Sequence, residues 1–516
     1  MQLSSADHSS VPPSITVPRE YNAAYDLIER NLQAGRGGKV AFHDDAGVVT
    51  YAQLAERVNR FGSGLLAMGL RMEDRVLIAM HDTADWPVAF LGAIRAGILP
   101  VAVNTLLTSK DYQYMLSDSR AKALVVSEAL LPQFKPVLDG LPFLKHVIVS
   151  GPSFNDVLAK GSPQLAPAPT TRDDACFWLY SSGSTGMPKG TVHAHSSMIE
   201  TAELYARGVL GIAESDIVFS AAKLFFAYGL GNSLSFVLAV GATAVLMAER
   251  PTPAAVFKRL TERKPTLFYG VPTLYAAMLA DPNFPKKEAL ALRICISAGE
   301  ALPPQISKGF KEKTGLDILD GIGSTEMLHI FLSNRPGDFR YGTTGKAVPG
   351  YELRLVDEQG ELVKQGELGE LEISGSTSAM YYWNNRTKSR STFTGAWTKS
   401  GDKYLLDADG FYVYGGRTDD MLKVGGIWVS PAEVEAALVS HPAVLEAAVI
   451  GKEDEQKLVK PKAFVVLKNG AKATDEELKA HVKAKLAPYK YPRWIEFAAE
   501  LPKTATGKIQ RFKLRG

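Results

Sequence analysis

The run Tyr180-Ser181-Ser182-Gly183-Ser184-Thr185-Gly186-Met187-Pro188-Lys189-Gly190 gathers three glycines, four serine or threonine hydroxyls and a lysine. Glycine lets a backbone approach a phosphate closely and turn through positive φ. Successive backbone N–H groups can form an anion nest, serine and threonine add donors, and lysine adds charge. An apolar stretch, Cys176–Leu179, precedes the run and Pro-Lys-Gly closes it, which a flexible Gly/Ser linker would not need. The spacing is not that of the Walker loop, because the next glycine that motif requires after Gly183 falls on Pro188.

Other groups could complete a phosphate chemistry. Glu326 follows Asp320-Gly321-Ile322-Gly323-Ser324-Thr325 at the end of a strand-like run, where ligands bind in open α/β sheets. Asp402 closes Thr398-Lys399-Ser400-Gly401-Asp402, ahead of Gly415-Gly416-Arg417, and Lys508 lies in Pro502-Lys503-Thr504-Ala505-Thr506-Gly507-Lys508-Ile509-Gln510-Arg511. Singly, each charge reads as a solvated loop or tail residue; their joint order lifts them above that.

A chain of 516 residues exceeds one hydrophobic core, and about two to four domains are expected. From about Lys39 to Gly321, strand candidates such as Val76–Met80, Ala123–Val126, Leu267–Tyr269 and Leu292–Ser297 alternate with helical patterns such as Tyr51–Met68, Trp86–Gly97, Pro253–Arg263 and Pro272–Ala280. Continuous apolar strands between helices predict parallel sheets buried on both faces. From about Tyr341 the strands shorten and alternate, as in a β-rich subdomain over about 341–418. After Arg417-Thr418-Asp419-Asp420, a helix–strand–strand–helix–strand pattern predicts a small α+β domain over 419–516. The fold class is therefore α/β, with a large N-terminal domain over 21–418 and a small C-terminal one. Residues 1–20, polar and proline-bearing, read as a loose arm.

Composition narrows the function. The chain is 46% hydrophobic and 22% charged, and 58 basic against 55 acidic side chains leave +3, which points to neither a nucleic-acid nor a membrane-surface binder. Cys176 and Cys295, far apart in apolar runs, read as buried thiols of a reducing compartment. No basic-then-apolar leader opens the sequence, and the apolar stretch Leu234–Ala248 is shorter than the ~20 residues a span needs, so a cytoplasmic soluble protein is expected. His193 and His195 lack a nearby third metal ligand and read as structural or phosphate-proximal.

These motifs, in this order and over nearly the whole chain, resemble those of the adenylate-forming enzymes, which activate carboxylic acids with ATP. The resemblance implies that Ser181, Ser182, Gly183, Ser184, Thr185, Gly186 and Lys189 hold the phosphates, and that Ala298, Gly299 and Glu300 lie beside the adenine. It carries Asp320, Gly321, Ile322, Gly323 and Ser324 into the nucleotide site, with Thr325 on a phosphate oxygen and Glu326 on Mg²⁺. Asp402 would bind the ribose hydroxyls and Arg417 the ribose or a phosphate. Lys508 matches the adenylation lysine, whose ammonium would stabilise charge building at the α-phosphate and the departing pyrophosphate. Asp419 matches a hinge about which the small domain rotates, bringing Lys423, Gly425 and Gly426 to line a pantetheine channel for CoA. ATP, Mg²⁺ and CoA are the implied cofactor and co-substrates.

The acid pocket must come from loops near the phosphates. Lys223–Gly231 is aromatic and then glycine-rich, and Met327–Phe331 follows Glu326. Apolar walls with few polar groups suit a small apolar or aromatic carboxylate. Apart from Lys223 at the edge, these segments carry no cation for a second carboxylate. The two segments resemble the benzoate–CoA ligase branch, which implies that Phe226, Ala227, Tyr228, Gly229, His329 and Ile330 line an aryl pocket. A stand-alone aryl adenylation enzyme loading a carrier protein shares every nucleotide motif and stays open, as does a homodimer. Related ligases also imply a protein acetyltransferase and deacetylase acting on Lys508.

Overall fold

The computed structural model describes residues 1–181, 187–418, 420–424, 427–455, 458–487, 489–503 and 509–515. Two large sheets form its centre. The first orders its strands Tyr381–Tyr382, Lys189–Ala194, Ala175–Ser181, Leu99–Ala102, Arg75–Ala79, Ala123–Val126 and His146–Val149. The last five are parallel, and Lys189–Ala194 turns back antiparallel to carry Tyr381–Tyr382 on its edge. The second sheet has nine strands, and its parallel centre includes Ile217–Ser220, Leu267–Gly270, Ile294–Ala298 and Ile318–Gly323.

The helices follow from local rules. Thr50 caps Tyr51–Ala67 through a reciprocal bond with Gln53. Pro253, Pro272 and Pro304 open their helices at the position where a missing N–H costs nothing. The apolar faces of strands and helices close into one core that spans both sheets and includes Trp86, Phe90, Phe177, Tyr205 and Tyr269. This α/β layering is what the continuous apolar strands imply.

The texture change near residue 341 coincides with an antiparallel five-stranded sheet built from Glu352–Val356, Gly369–Ser374, Phe393–Thr394, Trp397–Leu406 and Tyr412–Arg417. The division is not clean. Lys346–Ala347 joins the nine-stranded sheet and Tyr381–Tyr382 joins the seven-stranded one. Beyond it, helices Pro431–Val439 and Asp475–Lys485 cover a sheet of Val444–Glu453, Val459–Leu467 and Trp494–Phe497. Among the described residues no helix is long and apolar enough to cross a membrane.

Residues 1–20 differ from the loose arm expected. Ser5–Asp7 and Ser14–Thr16 pair as a ribbon. Ser4 Oγ donates to Asp26 at 2.5 Å, His8 Nε2 lies 2.7 Å from Glu203, and Val17 is buried. Polar composition suggested solvent; here those polar groups bind buried charges on two helical segments.

Candidate active site

The antiparallel pair Ala175–Ser181 and Lys189–Ala194 aligns Ser181 with Lys189 and Tyr180 with Gly190, so the ends of the Gly/Ser/Thr loop stand side by side. Ser182, Gly183, Ser184, Thr185 and Gly186 lie outside the described residues. Both ends are tied to the helix Ser109–Ser119. Tyr180 Oη donates to Asp118 Oδ2 at 2.7 Å, and Tyr114 Oη donates to the Pro188 carbonyl at 3.0 Å. Ser181 is buried, with no hydrogen-bond partner for its hydroxyl among the described residues.

Parallel pairing of Ile294–Ala298 with Ile318–Gly323 sets Ser297 beside Asp320 and Ala298 beside Gly321. The expected adenine loop, Ala298, Gly299 and Glu300, therefore flanks the expected phosphate turn. Asp320 is buried, one carboxylate oxygen has no partner among the described residues, and burial pushes its pKa well above the usual carboxylate range. After Ile322 and Gly323 the chain turns: Met327 N–H donates to Ser324 Oγ at 3.1 Å and Leu328 N–H to the Thr325 carbonyl at 3.2 Å. Leu328 takes φ 66°, a left-handed backbone that a leucine keeps only where its surroundings hold it.

That turn joins three parts of the chain. His193 lies with Nε2 2.7 Å from the Thr325 carbonyl, which can only accept, so Nε2 carries the proton. Burial holds this imidazole near a pKa of about 4, hence neutral. His195 is also buried and accepts the Ala23 N–H, so His193 braces the Thr325 turn and His195 the start of the helix Ala23–Gln33. Glu326 receives the Tyr382 hydroxyl at 2.7 Å, and Lys189 Nζ stands 4.7 Å from the centre of the same phenol ring. Sequence reasoning missed Tyr382: it sits in a two-residue strand, with no motif, and reaches the site by pairing with Thr191.

Among the described residues no three His, Cys, Asp or Glu side chains cluster as a metal cage. One carboxylate beside a phosphate-binding loop instead suits Mg²⁺, which takes one or two carboxylates and fills its shell with phosphate oxygens and water. Glu326 fits that role, since Tyr382 occupies one edge of its carboxylate and can orient it.

Asp402 and Arg417 are cross-strand partners on Trp397–Leu406 and Tyr412–Arg417, with Arg417 Nη1 3.2 Å from Asp402 Oδ1.

The aryl residues assemble around His329. Its Nε2 lies 3.2 Å from the Tyr228 carbonyl and 3.1 Å from Asn232 Oδ1, both acceptors, so Nε2 carries the proton and Nδ1 is bare. Nδ1 is buried with no partner among the described residues, and burial lowers the pKa to about 3. The Tyr228 and His329 rings lie 5.6 Å apart, Tyr269 meets Tyr228 edge-on at 5.9 Å, and Phe236 meets His329 at 4.4 Å. The Tyr228 hydroxyl is buried, with no hydrogen-bond partner within bonding geometry among the described residues. Gly231 makes the arrangement fit: a Cβ there would stand 2.2 Å from His329 Cδ2. Ala227, Gly229 and Ile330 are buried around this group, whereas Phe226 packs on Phe225. Asn232, Tyr205, Tyr269 and Phe236 were missed, because they lie on separate elements and carry no local motif.

The C-terminal residues are reached less fully. Lys508, the hinge residue Asp419, and Gly425 and Gly426 lie outside the described residues, and Lys423 is placed only as part of the strand Leu422–Val424. Their neighbours are defined. Ile509 N–H donates to Glu300 Oε1 at 3.3 Å, bringing the C-terminal segment to the adenine loop. Arg511 binds Glu435 at 2.7 Å, and Asp420 lies 3.8 Å from Arg511.

Comparison with known proteins places these features among relatives. The AMP-binding enzyme family matches residues 28–383, and the AMP-binding enzyme C-terminal domain matches 433–508. The chain is 64% identical to a benzoate–CoA ligase of Thauera aromatica, covering 99% of both chains. It is 50% identical to a 4-hydroxybenzoate–CoA/benzoate–CoA ligase of Rhodopseudomonas palustris, over 96% of this chain and 94% of the relative. Its structure resembles that of a benzoate CoA ligase from Burkholderia xenovorans LB400, with TM-score 0.91, 56% identity, and 96% and 100% of the two chains covered.

Proposed function

The chain belongs to the AMP-binding enzyme family, and on that premise we propose that it is an AMP-forming benzoate–CoA ligase. Benzoate and ATP give benzoyl-AMP and pyrophosphate; the CoA thiol then displaces AMP to give benzoyl-CoA. The observation that carries the reading is the short turn from Thr325 to His329. It presents Glu326 toward Tyr382 and Lys189 at one end, and His329 toward Tyr228 at the other. A phosphate-side carboxylate and an aromatic chamber are thus a few residues apart. Lys223, the cation at the chamber's edge in sequence, turns its ammonium to the carbonyls of Met247 and Glu249, which leaves the chamber suited to a monoacid.

In the first step a benzoate oxygen attacks the α-phosphorus and the bond to pyrophosphate breaks. Mg²⁺ bound with the nucleotide would neutralise phosphate charge. The loop from Ser181 to Lys189 supplies N–H groups, hydroxyls and an ammonium to the β- and γ-phosphates. Thr325 bonds a phosphate oxygen, and Glu326 would hold Mg²⁺. Ala298, Gly299 and Glu300 lie beside the adenine and the Asp320–Ser324 segment joins the nucleotide site, while Asp402 takes the ribose and Arg417 the ribose or a phosphate. Lys508 stabilises the charge that builds at the α-phosphate. Its neighbour Ile509, bonded to Glu300, supports this placement. In the second step the small domain turns about Asp419, and Lys423, Gly425 and Gly426 line the thiol's path.

The decisive experiment is a pyrophosphate-release screen over aryl and alkyl acids, with and without CoA, followed by detection of the thioester. Benzoate-dependent release and benzoyl-CoA are expected. No acid-dependent release sinks the reading, and acyl transfer only to a phosphopantetheinyl carrier replaces it with the carrier-loading alternative. Asp419→Pro tests the pivot: pyrophosphate exchange should survive while thioester formation collapses.

The reading extends to a cytoplasmic enzyme, supported by the two buried free thiols Cys176 and Cys295. It also extends to a homodimer, which light scattering reads, and to acetylation of Lys508, which would remove its charge. Mass spectrometry and deacetylase rescue test the last; an unmodified lysine in inactive enzyme contradicts it.

A further inference from the structure

Asp82 follows the interior strand Arg75–Ala79 of the seven-stranded sheet and is only 4% exposed. It belongs to no motif and has no part in the chemistry above. Both its carboxylate oxygens face one donor, the N–H of Leu224, at 3.3 and 3.2 Å. Leu224 lies after Ile217–Ser220 of the other large sheet, so this bond crosses between the two sheets.

Leu224 opens the segment that builds the aryl wall. Phe226 N–H donates back to the Lys223 carbonyl at 3.0 Å, and a Cβ at Gly229 would stand 2.1 Å from that same carbonyl oxygen. Lys223–Gly229 is thus a closed turn with little freedom to shift internally. Lys223 pins its outer end through the Met247 and Glu249 carbonyls. The next residues are Leu230, Gly231 against the imidazole of His329, and Asn232, whose Oδ1 faces His329 Nε2. Fixing Leu224 therefore fixes where Tyr228 and Gly231 meet His329.

We infer that Asp82 is a positioning residue for the aryl pocket: it anchors the Lys223–Gly231 turn from the opposite sheet and so sets the acid-binding wall without touching the acid. The assignment rests on the pocket proposed above. A buried carboxylate with one amide donor is costly unless that bond serves the fold or the site. Burial raises its pKa to about 6, against the opposing effects of Lys223 and the Leu224 amide.

The test compares Asp82→Ala, which removes the acceptor, with Asp82→Asn, which keeps a carbonyl oxygen in its place. For Asp82→Ala, KM for benzoate should rise about tenfold while KM for ATP stays within about twofold, and Asp82→Asn should restore most of the benzoate KM. Equal change in both KM values, or in neither, overturns the inference and leaves Asp82 a general structural residue. If Asp82→Ala does not fold, Asp82→Ser, whose hydroxyl falls short of the amide, is read by the same split. Wild-type enzyme without benzoate-dependent turnover means failure of the functional reading; active wild type with an indifferent variant means failure of this inference alone.

Discussion

The hydroxyl of Tyr382 donates to Glu326 Oε1 at 2.7 Å, joining the edge of one sheet to the turn that ends a strand of another. Burial, and then the Glu326 charge, raise the phenol pKa well above its usual value, so it remains a donor at physiological pH. Tyr382→Phe deletes one hydrogen bond to a charged acceptor, which is worth about 1.5–3 kcal/mol. We expect KM for MgATP in benzoate-dependent pyrophosphate exchange to rise about tenfold or more, with KM for benzoate little changed. An unchanged KM for MgATP would show that Glu326 needs no such orientation.

Gly231→Ala places a methyl where the His329 ring already is, since the added carbon would fall 2.2 Å from Cδ2. Displacing the ring breaks its bonds to Asn232 and the Tyr228 carbonyl. Overpacking of this kind costs about 1–3 kcal/mol. Benzoate turnover should fall at least about tenfold while ATP still protects the protein against thermal unfolding. Full benzoate activity in this variant would remove His329 from the pocket wall.

Lys508→Ala should lose adenylation by roughly a hundredfold or more, as expected for removing one charge-stabilising group, yet still convert supplied benzoyl-AMP to benzoyl-CoA. Measuring the two half-reactions separately decides it. Equal loss in both makes Lys508 structural or active in each step.

Three buried histidines predict how stability depends on acid. Burial holds His193 and His195 at about 4 and His329 at about 3, below the ordinary value of about 6.5. Between those limits the unfolded chain binds more protons than the folded one. Stability from these groups is therefore fully present above about pH 6.5 and is lost as pH falls through that window. Asp82 and Asp320, whose folded values are raised, act in the opposite sense. The clean measurement is a difference. Relative to His329→Gln, the wild type should lose about 2–3 kcal/mol between about pH 7 and pH 4.5, read from urea midpoints. A constant difference would place a charged His329 in the folded protein.

The motifs proposed for the nucleotide stood out in sequence where they end strands, as at Ser181, Gly323 and Arg417, because a few adjacent residues there bend the backbone and can present donors. Asp402 lies inside its strand and meets Arg417 only through cross-strand pairing. The proposed aryl wall shows only in part in the sequence. Tyr228 and His329 sit in short distinctive segments, but Asn232 and Tyr269 join them only through packing across elements. Tyr382 and Asp82 were invisible, since their roles arise from a strand pairing and an intersheet bond that no window of sequence contains. The first twenty residues were misread for the same reason: polar composition does not reveal whether a buried partner such as Asp26 or Glu203 awaits.

The edge strand Tyr381–Tyr382 is reached only after the chain has traversed both large sheets, yet it is locked to the hairpin of Ala175–Ser181 and Lys189–Ala194 on both sides of its pairing with Thr191. Met380 N–H binds the Val192 carbonyl and Trp383 N–H binds the Gly190 carbonyl. Any hybrid made by crossing this chain with a relative between His195 and Met380 would unite one parent's hairpin with the other parent's tyrosine. Exchange of parts is therefore constrained by a seam that cuts across the order of the polypeptide, and grafts that respect it must transplant two distant stretches together.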